Sequence, residues 1–252
     1  MDDDVDERPT TTLDALQAEG WITSAIREIK SGKEATVYCC SGGPRTQLDL
    51  VAAKIYRSRM HRTFRNDAMY QEGRIYADMR PADRRARRAV EHKSRFGRAK
   101  QFASWIDHEF AMLSTLYEVG ADVPQPLCHT ASSILMEFIG DVQGAAPLLY
   151  LTSITADEAQ ILFDRVMHNI ELFLQCNVVH GDLSSFNMLQ WDSRLIIIDF
   201  PQAVDARFNP HSRDLLLRDI SNVAEYFSRF GVRADPWRLT NVMWHRFLHA
   251  GF

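Results

Sequence analysis

The chain has 252 residues, 46% of them hydrophobic and 25% charged, and a formal net charge of −4 at pH 7. This length allows a sizeable buried core, and the composition excludes collagen-like, disordered and disulfide-scaffold proteins. The charge is unevenly distributed, because residues 57–100 hold 14 Lys and Arg against 5 Asp and Glu. The overall value therefore hides one strongly basic segment in an otherwise acidic chain.

The sequence also bears on targeting and on the chemistry of the cysteines. The acidic start, Met1 to Glu7, is unlike a secretory or mitochondrial targeting signal. No apolar run approaches the ~20 residues that a membrane-spanning helix needs. The four cysteines form no Cys-x-x-Cys pair, so reduced thiols are expected rather than disulfides or a zinc site. These features predict a cytoplasmic protein with no membrane association.

The first third of the chain is predicted to be β-rich. Residues 1–10 are expected to form a disordered acidic tail, followed by a short helix that starts at Thr11 or Thr12 and ends at Gly20. Three strands follow, over 21–30, 35–40 and 51–56. The basic segment 57–100 has little apolar periodicity until it nears its end, which predicts a mobile loop with fragments of helix.

The rest of the chain is predicted to be mostly helical. Glu109 falls on an apolar face of the first of these helices, and a buried carboxylate needs a partner. On the helix over 156–176, five apolar positions are predicted to face inward: Ile161, Leu162, Val166, Ile170 and Phe173. The predicted helices are 102–118, 156–176, 211–230 and 236–249, and the predicted strands are 133–139 and 195–199.

The most informative motif is His180-x-Asp182-x-x-x-x-Asn187, with Asp199 at the end of an apolar strand 12 residues later. A carboxylate and an amide on one short loop can point to the same place. Asp199 beside them completes an oxygen-ligand set of the kind that Mg²⁺ prefers. Asp182 is then left to accept a hydroxyl proton or to position a nucleophile, and His180 is assigned an orienting role.

Three further features fit the same chemistry. Lys54 on a buried strand needs an anion, so Lys54 and Glu109 are predicted to pair, leaving the ammonium group to hold nucleotide phosphates. The loop 31–34, Ser-Gly-Lys-Glu, could cover phosphates, although it is not a Walker A loop. The segment 136–140, Met-Glu-Phe-Ile-Gly, ends a strand whose backbone could receive an adenine ring.

Taken in order, these motifs make the chain resemble an atypical protein kinase of the RIO family, in the branch without an N-terminal winged helix. The resemblance covers about residues 13–235. The matching stretches are Ser31 to Tyr38, Val51 to Tyr56, Met136 to Gly140, Ala146 to Leu149, His180 to Leu189, Ile197 to Gln202 and Phe227 to Val232.

The resemblance implies an α+β, bilobal protein-kinase-like fold, with a small β-rich N-lobe over about 11–138 and a trimmed, mostly helical C-lobe over about 139–252. It implies that Asp182 is the catalytic aspartate and that Asn187 and Asp199 hold Mg²⁺ or Mn²⁺. It assigns ATP contacts to six residues: Ser31, Lys33, Lys54, Glu109, Glu137 and Ile139.

The resemblance also bears on the reaction. In RIO proteins the aspartate at the position of Asp199 can become phosphorylated during ATP hydrolysis, which makes a phosphoaspartate intermediate an expectation here. Pro201 and Gln202 stand where ordinary kinases have Gly, Ser184 replaces the catalytic-loop lysine, and no Ala-Pro-Glu motif follows. Serine autophosphorylation or an ATPase-driven switch is therefore favoured over phosphorylation of a peptide in trans.

Two alternatives stay open at this point. Small-molecule phosphotransferases of the aminoglycoside and choline kinase type also carry a His-Gly-Asp-Leu-x-x-x-Asn segment. A binding protein for RNA or a ribosome precursor, with ATP as a regulatory ligand, is the other alternative. Its support is the basic segment, in which four side chains are candidates for phosphate contacts: Arg84, Arg85, Arg87 and Arg88.

Overall fold

A computed structural model describes residues 8–57 and 95–249 of the chain. Within them the chain forms two compact units. The first contains residues 8–57, 95–111 and 125–145, and the second contains residues 112–124 and 146–249. The first is built on a β-sheet and the second mostly on helices, which is the predicted α+β class. Most of the predicted acidic tail and the four candidate arginines at 84, 85, 87 and 88 lie outside the described residues.

The first unit opens with a helix that is longer than predicted. This helix, α1, spans Arg8–Ala18, so it begins before Thr11. Its end is the one expected, because Gly20 has φ +80° and the N–H groups of Gly20 and Trp21 donate to the carbonyls of Gln17 and Leu16. A residue in this left-handed conformation closes the helix at little cost only when it lacks a Cβ atom.

The sheet of the first unit has five antiparallel strands in the order β1-β2-β3-β5-β4. Leu16 of α1 packs on one face, against a cluster that includes Ile22, Val51, Ile55 and Leu135. β4 was not predicted, because a short segment that begins with Pro126 lacks strand periodicity. The strands are β1 (Ile22–Ser31), β2 (Ala35–Gly42), β3 (Leu50–Tyr56), β4 (Pro126–His129) and β5 (Ser133–Glu137).

Helix α2 spans Arg95–Glu118, so it begins seven residues before the predicted start at 102. The last six residues of the basic segment are therefore regular helix continuous with the rest of α2, where only fragments of helix were predicted. Residues 95–100 contain one large apolar residue, Phe96, and a glycine, Gly97, so the periodicity there was too weak to locate the start of the helix. The buried side of α2 in the first unit carries Trp105, Ile106 and Glu109.

The second unit is organised around three helices: α3 (Ala156–Gln175), α4 (Ser212–Ser228) and α5 (Pro236–His249). A capping box between Thr155 and Glu158 fixes the start of α3. Four of the five predicted inward positions of α3 are buried, but Ile161 is 69% exposed. Ile161 lies one residue before the buried Leu162, about 100° around the helix, and it falls outside the buried arc.

Short strands complete the second unit. β6 (Val178–Val179) pairs with β9 (Val204–Asp205), and β7 (Met188–Trp191) pairs with β8 (Arg194–Ile197) in a hairpin. The hairpin turns through Asp192 and Ser193, which both have positive φ. Among the described residues no helix is long and apolar enough to cross a membrane.

Candidate functional site

In the first unit, β3 and α2 bring a lysine and a glutamate into contact. The Nζ atom of Lys54 lies 2.7 Å from Oε1 of Glu109, and both side chains are largely buried. The hydroxyl of Tyr56 donates to the other carboxylate oxygen, Oε2, at 2.7 Å. The predicted ion pair is therefore present, and Tyr56 is a third member that the sequence did not indicate. A carboxylate with both oxygens engaged holds the ammonium group in one place.

The strand residues beside the loop between β1 and β2 lie on two different faces of the sheet. Ser31 pairs with Thr36 and Thr36 with Ile55, whereas Val37 pairs with Lys54. Because paired residues share a face and faces alternate along a strand, the Ser31 hydroxyl lies on the face opposite to Lys54. There it accepts a hydrogen bond from the guanidinium of Arg57. Any contact of Ser31 with a nucleotide phosphate would have to come from its backbone.

The segment that follows β5 offers unpaired backbone. The N–H of Glu137 donates to the carbonyl of Gln125 at 2.8 Å, which ties the end of β5 to the residue before β4. Within the described part of the chain, the N–H of Ile139 makes no hydrogen bond, although this residue is only 7% exposed. A nearly buried N–H without a partner is a candidate donor to a ligand.

In the second unit, the loop after β6 holds Asp182 and Asn187 together. The side-chain amide of Asn187 donates to the carbonyl of Asp182 at 2.8 Å and approaches its Oδ2 at 3.5 Å. A short 3₁₀ turn, Ser185–Asn187, shapes the loop so that this contact forms. The structure thus brings the predicted catalytic aspartate into direct contact with Asn187, one of the two predicted metal ligands.

Asp199 is tied to the same loop through its neighbour, Ile198. The N–H of Ile198 donates to the carbonyl of Asn187 at 2.9 Å. His180 adds a second tie, since its Nε2 lies 3.3 Å from the carbonyl of Ile198 and its Nδ1 lies 3.3 Å from the N–H of Asp182. An acceptor at Nδ1 and a donor at Nε2 define a neutral imidazole. This matches the orienting role predicted for His180.

The backbone at Asp199 is unusual, because its φ is +72°. Few residues with a side chain adopt this left-handed conformation, and Asp and Asn are among those that tolerate it best. The next residue, Phe200, is buried and packs its ring on His180, with the ring centroids 4.8 Å apart. This packing anchors the chain immediately after Asp199, and the exposed carboxylate is held on a fixed backbone.

Helix α4 supplies a residue that the sequence analysis missed. Asp219 is 1% exposed, and its two carboxylate oxygens accept the N–H groups of Gly181 and Leu183 at 2.8 and 2.9 Å. Asp182 lies between these two residues, so Asp219 holds its backbone from both sides. The signal was available in principle, since Asp219 interrupts a buried apolar stripe on α4 just as Glu109 does on α2.

Comparison with known proteins now identifies the family. The family model described as the RIO domain matches residues 36–238. The chain belongs to the RIO family. This confirms the resemblance drawn from the motifs, and the chain's RIO domain contains every residue of the predicted catalytic and metal set.

Curated relatives of this RIO chain are named as serine/threonine-protein kinases. The chain is 31% identical to RIO1 of Caenorhabditis elegans over 229 residues, covering 90% of this chain and 42% of that protein. It is 31% identical to Rio1 of Haloferax volcanii over 230 residues, covering 91% of this chain and 72% of that protein. The chain therefore spans less than half the length of the nematode relative and about three quarters of the archaeal one.

Solved structures agree on the fold. The Rio2 kinase–ADP/Mg²⁺–phosphoaspartate complex from Chaetomium thermophilum aligns over 94% of this chain and 69% of that one, with 22% identity and a TM-score of 0.63. The PK-1 kinase of Cydia pomonella granulovirus aligns over 88% of this chain and 72% of that one, with 10% identity and a TM-score of 0.52. The bilobal, kinase-like α+β fold is thus confirmed.

The carboxylates of Asp182 and Asp199 place like charges near each other in the second unit. Neighbouring protein atoms displace water from the carboxyl of Asp182, which raises its pKa, and the negative charge of Asp199 raises it further. The guanidinium of Arg218 and the hydrogen bond from Asn187 act in the opposite direction. Two carboxylates that repel each other at a solvent-accessible point form a site where a cation would be stabilised.

The donor set fits magnesium. No group of three or more His, Cys, Asp or Glu side chains in the described ranges is arranged to hold a metal ion. The available donors are the carboxylate of Asp199 and the amide oxygen of Asn187, whose nitrogen is turned toward Asp182. Mg²⁺ commonly takes one or two protein oxygens and completes its shell with phosphate oxygens and water. Zinc, which prefers nitrogen and sulfur ligands, does not fit.

The predicted site residues thus fall into two groups. Lys54 and Glu109 are in contact in the first unit, which also contains Ser31, Lys33, Glu137 and Ile139. Lys33 is exposed on the loop between β1 and β2. Asp182, Asn187 and Asp199 are held together in the second unit.

Proposed function

We propose that this RIO chain is an ATP- and Mg²⁺-dependent serine/threonine kinase and ATPase, acting by serine autophosphorylation or by hydrolysis through a phosphoaspartate at Asp199. The observation that carries the proposal is the arrangement of Asp182, Asn187 and Asp199, which two independent backbone ties hold beside one another. The named activity of its relatives and the ADP/Mg²⁺–phosphoaspartate complex of the Chaetomium Rio2 kinase support the same chemistry.

Each group of residues has a distinct part in this proposal. Lys54, positioned by Glu109 and Tyr56, would contact the phosphates of ATP. The backbones of Glu137 and Ile139 would meet adenine, and Ser31 and Lys33 would cover the phosphates. Asn187 and Asp199 would hold Mg²⁺, or Mn²⁺ in its place, which when bound neutralises charge on the transferring phosphoryl group.

Transfer to serine requires a proton acceptor. Asp182 would accept the proton of the serine hydroxyl as the serine oxygen bonds to the γ-phosphorus. The bond from that phosphorus to the oxygen that bridges to the β-phosphate then breaks, and ADP leaves with the electron pair. The raised pKa of Asp182 favours such a role, because a carboxylate of higher pKa is a stronger base.

Hydrolysis through Asp199 takes two steps. A carboxylate oxygen of Asp199 bonds to the γ-phosphorus and ADP leaves, which gives an aspartyl phosphate. A water oxygen then attacks that phosphorus, the bond to the Asp199 oxygen breaks, and inorganic phosphate is released while Asp182 takes the proton of the water. The fixed backbone at Asp199 and the exposure of its side chain support this role.

Incubation with γ-labelled ATP and Mg²⁺, without added substrate, tests the proposal. We expect ADP release and labelled protein, with both lost in Asp199→Asn and serine labelling lost in Asp182→Ala. Hydroxylamine removes label from an aspartyl phosphate and leaves phosphoserine intact, so it separates the two routes. If the wild-type protein neither consumes ATP nor becomes labelled, the proposal is wrong.

The proposed setting is a switch acting on a protein or ribonucleoprotein partner in the cytoplasm. The four cysteines are free, and burial raises the pKa of Cys40 to about 12, as expected for unreactive thiols in a reducing compartment.

The basic segment 57–100 supports an RNA or ribosome-precursor partner. Neutralising the arginines at 84, 85, 87 and 88 should lower RNA affinity and weaken its salt dependence, and unchanged RNA binding would exclude this partner.

A further inference from the structure

Two aromatic side chains of the second unit are in contact with each other at the surface. The rings of Tyr150 and Phe186 have centroids 4.4 Å apart and are tilted by 39°. Tyr150 is 42% exposed and Phe186 is 57% exposed. Exposed single hydrophobic residues are common, but two adjoining exposed rings form a surface with a defined shape. We call this pair the aromatic platform.

The backbone under the aromatic platform is firmly held. Leu149, next to Tyr150, is fully buried, and its carbonyl accepts the hydroxyl of Tyr226 at 2.7 Å. Ser185, next to Phe186, is also buried. The N–H of Gln190 donates to the carbonyl of Pro147 at 3.0 Å, which joins the two segments that carry the rings. The rings are therefore presented on a fixed support, and their exposure is not the result of a loose loop.

The position of the platform relates it to the proposed reaction. Phe186 immediately precedes Asn187 and follows Asp182 by four residues. A molecule resting on Phe186 would lie beside the loop that carries the proposed catalytic carboxylate. This position suits a surface that binds the phosphoryl acceptor rather than ATP.

The charge of the segment that carries Phe186 indicates the kind of acceptor. Residues 178–207, the segment that carries Phe186, contain four carboxylates and two guanidinium groups. Arg218 of α4 adds a third guanidinium, which contacts the carbonyl of Gly181 and acts on Asp182. One of those guanidinium groups, on Arg207, is paired with Asp205 at 2.7 Å. The faces of aromatic rings also carry negative charge density and attract Lys and Arg. Both features favour a cation, and both disfavour the phosphates of a nucleic acid.

We propose that the aromatic platform of Tyr150 and Phe186 binds an arginine or lysine side chain of a basic partner polypeptide and so places its serine or threonine next to Asp182. Phosphorylation of the bound serine or threonine rests on the proposed kinase function, whereas binding of the partner polypeptide does not require turnover. It identifies the acceptor class as a basic polypeptide bound in trans. Autophosphorylation and hydrolysis would then be accompanied by phosphorylation of a polypeptide in trans.

Binding is tested with a fluorescent serine peptide that carries arginines before the serine and with its twin in which every arginine is replaced by glutamine. Anisotropy on the full chain gives the affinities. We expect the arginine peptide to bind more tightly, and Phe186→Leu and Tyr150→Leu each to weaken it by about 3- to 30-fold, the range of a cation–π contact. Leucine keeps apolar bulk at each position, so loss of the ring's charge distribution is the main change.

Tyr117→Leu is the matched control, because Tyr117 is a tyrosine of nearly equal exposure, 41%, on α2. It should leave peptide affinity unchanged. Equal binding of the two peptides, or unchanged affinity in both platform variants, would overturn the proposal. So would binding of single-stranded oligouridylate that the same variants abolish, since the platform would then serve a nucleic acid.

The two proposals fail in different ways. If the wild-type protein is stabilised by Mg-ATP and labels itself, but discriminates between the peptides neither in binding nor in the KM for phosphorylation, only the platform proposal is wrong. If the arginine peptide binds through the platform and no ATP is consumed, the kinase proposal is wrong and the binding surface stands. Thermal shifts with Mg-ATP in Tyr150→Leu show that a loss of peptide binding is not a loss of the fold.

Discussion

At the scale of single residues, the charge of Asp199 affects the protonation of Asp182 in the second unit. The negative charge of Asp199 contributes to the raised pKa of Asp182, so removing that charge should lower it. Asp199→Asn is the suitable change, because asparagine tolerates the φ of +72° that most other residues would resist. We expect the carboxyl ¹³C titration of Asp182 to move to lower pH in the nucleotide-free protein.

The control for that titration is Asp192→Asn. Asp192 is also an exposed aspartate with positive φ, and it does not contribute to the pKa of Asp182. The titration of Asp182 should be the same in this variant as in the wild type. An Asp182 titration that does not move in Asp199→Asn would mean that the two carboxylates are not electrostatically coupled.

The buried ion pair of the first unit gives a second prediction at this scale. Lys54→Met leaves the Glu109 carboxylate buried without its cation, which should cost about 3–5 kcal/mol in the free energy of unfolding. Adding Glu109→Gln removes the uncompensated charge and keeps an oxygen to accept the Tyr56 hydroxyl. The double variant should regain most of that stability in urea unfolding, yet show no thermal shift with Mg-ATP. A double variant as unstable as the single one would contradict this account.

At the scale of elements, α4 holds the loop that carries Asp182 through two hydrogen bonds to Asp219. Burial raises the pKa of Asp219 to about 7, against the two backbone hydrogen bonds and Arg218, which lower it. A raised pKa in the folded state means that the native protein binds more protons than the unfolded chain between about pH 4 and pH 7. The contribution of Asp219 to stability is therefore present below pH 4 and is lost as the pH rises through 7.

Urea unfolding at a series of pH values tests this contribution by comparing the wild type with Asp219→Asn. Asparagine does not titrate, so the stability of the wild type relative to the variant should fall with rising pH, by at most about 1.4 kcal/mol per pH unit. The variant should also be less stable at low pH, because an asparagine oxygen and amide cannot accept both N–H groups. Parallel pH profiles for the two proteins would show that Asp219 does not titrate in this window.

The elements also show how far the sequence could lead. The pairing of Glu109 could be predicted because a carboxylate on an apolar helix face needs a partner. The contact between Asp182 and Asn187 could be predicted from their spacing on one short loop. Asp219 on α4 carries the same signal as Glu109, but its partners are the backbone N–H groups of Gly181 and Leu183, which no sequence pattern identifies. The face on which Ser31 lies depends on strand register, which the sequence does not determine.

At the scale of the whole molecule, the family assignment predicts that nucleotide stabilises the chain. Mg-ATP at about 100 times its Kd should add about 2.7 kcal/mol to the free energy of unfolding and raise Tm. The rise should be absent in the Lys54→Met/Glu109→Gln variant and much smaller in Asp199→Asn, and it should persist in Asp192→Asn. A Tm that does not respond to Mg-ATP in the wild type would argue against nucleotide binding.

The imidazole of His180 has a consequence for how variants of this chain will be classified. It makes no contact with a proposed ligand, yet both of its nitrogens are committed to the backbone, one at Asp182 and one at Ile198. Replacing it would release two aspartates at once while leaving both carboxylates in the sequence. In a kinetic survey, a variant with His180 replaced would then resemble variants of the proposed metal ligands Asn187 and Asp199. Recovery of activity at high Mg²⁺ concentration would show that the ligands are misplaced and not absent.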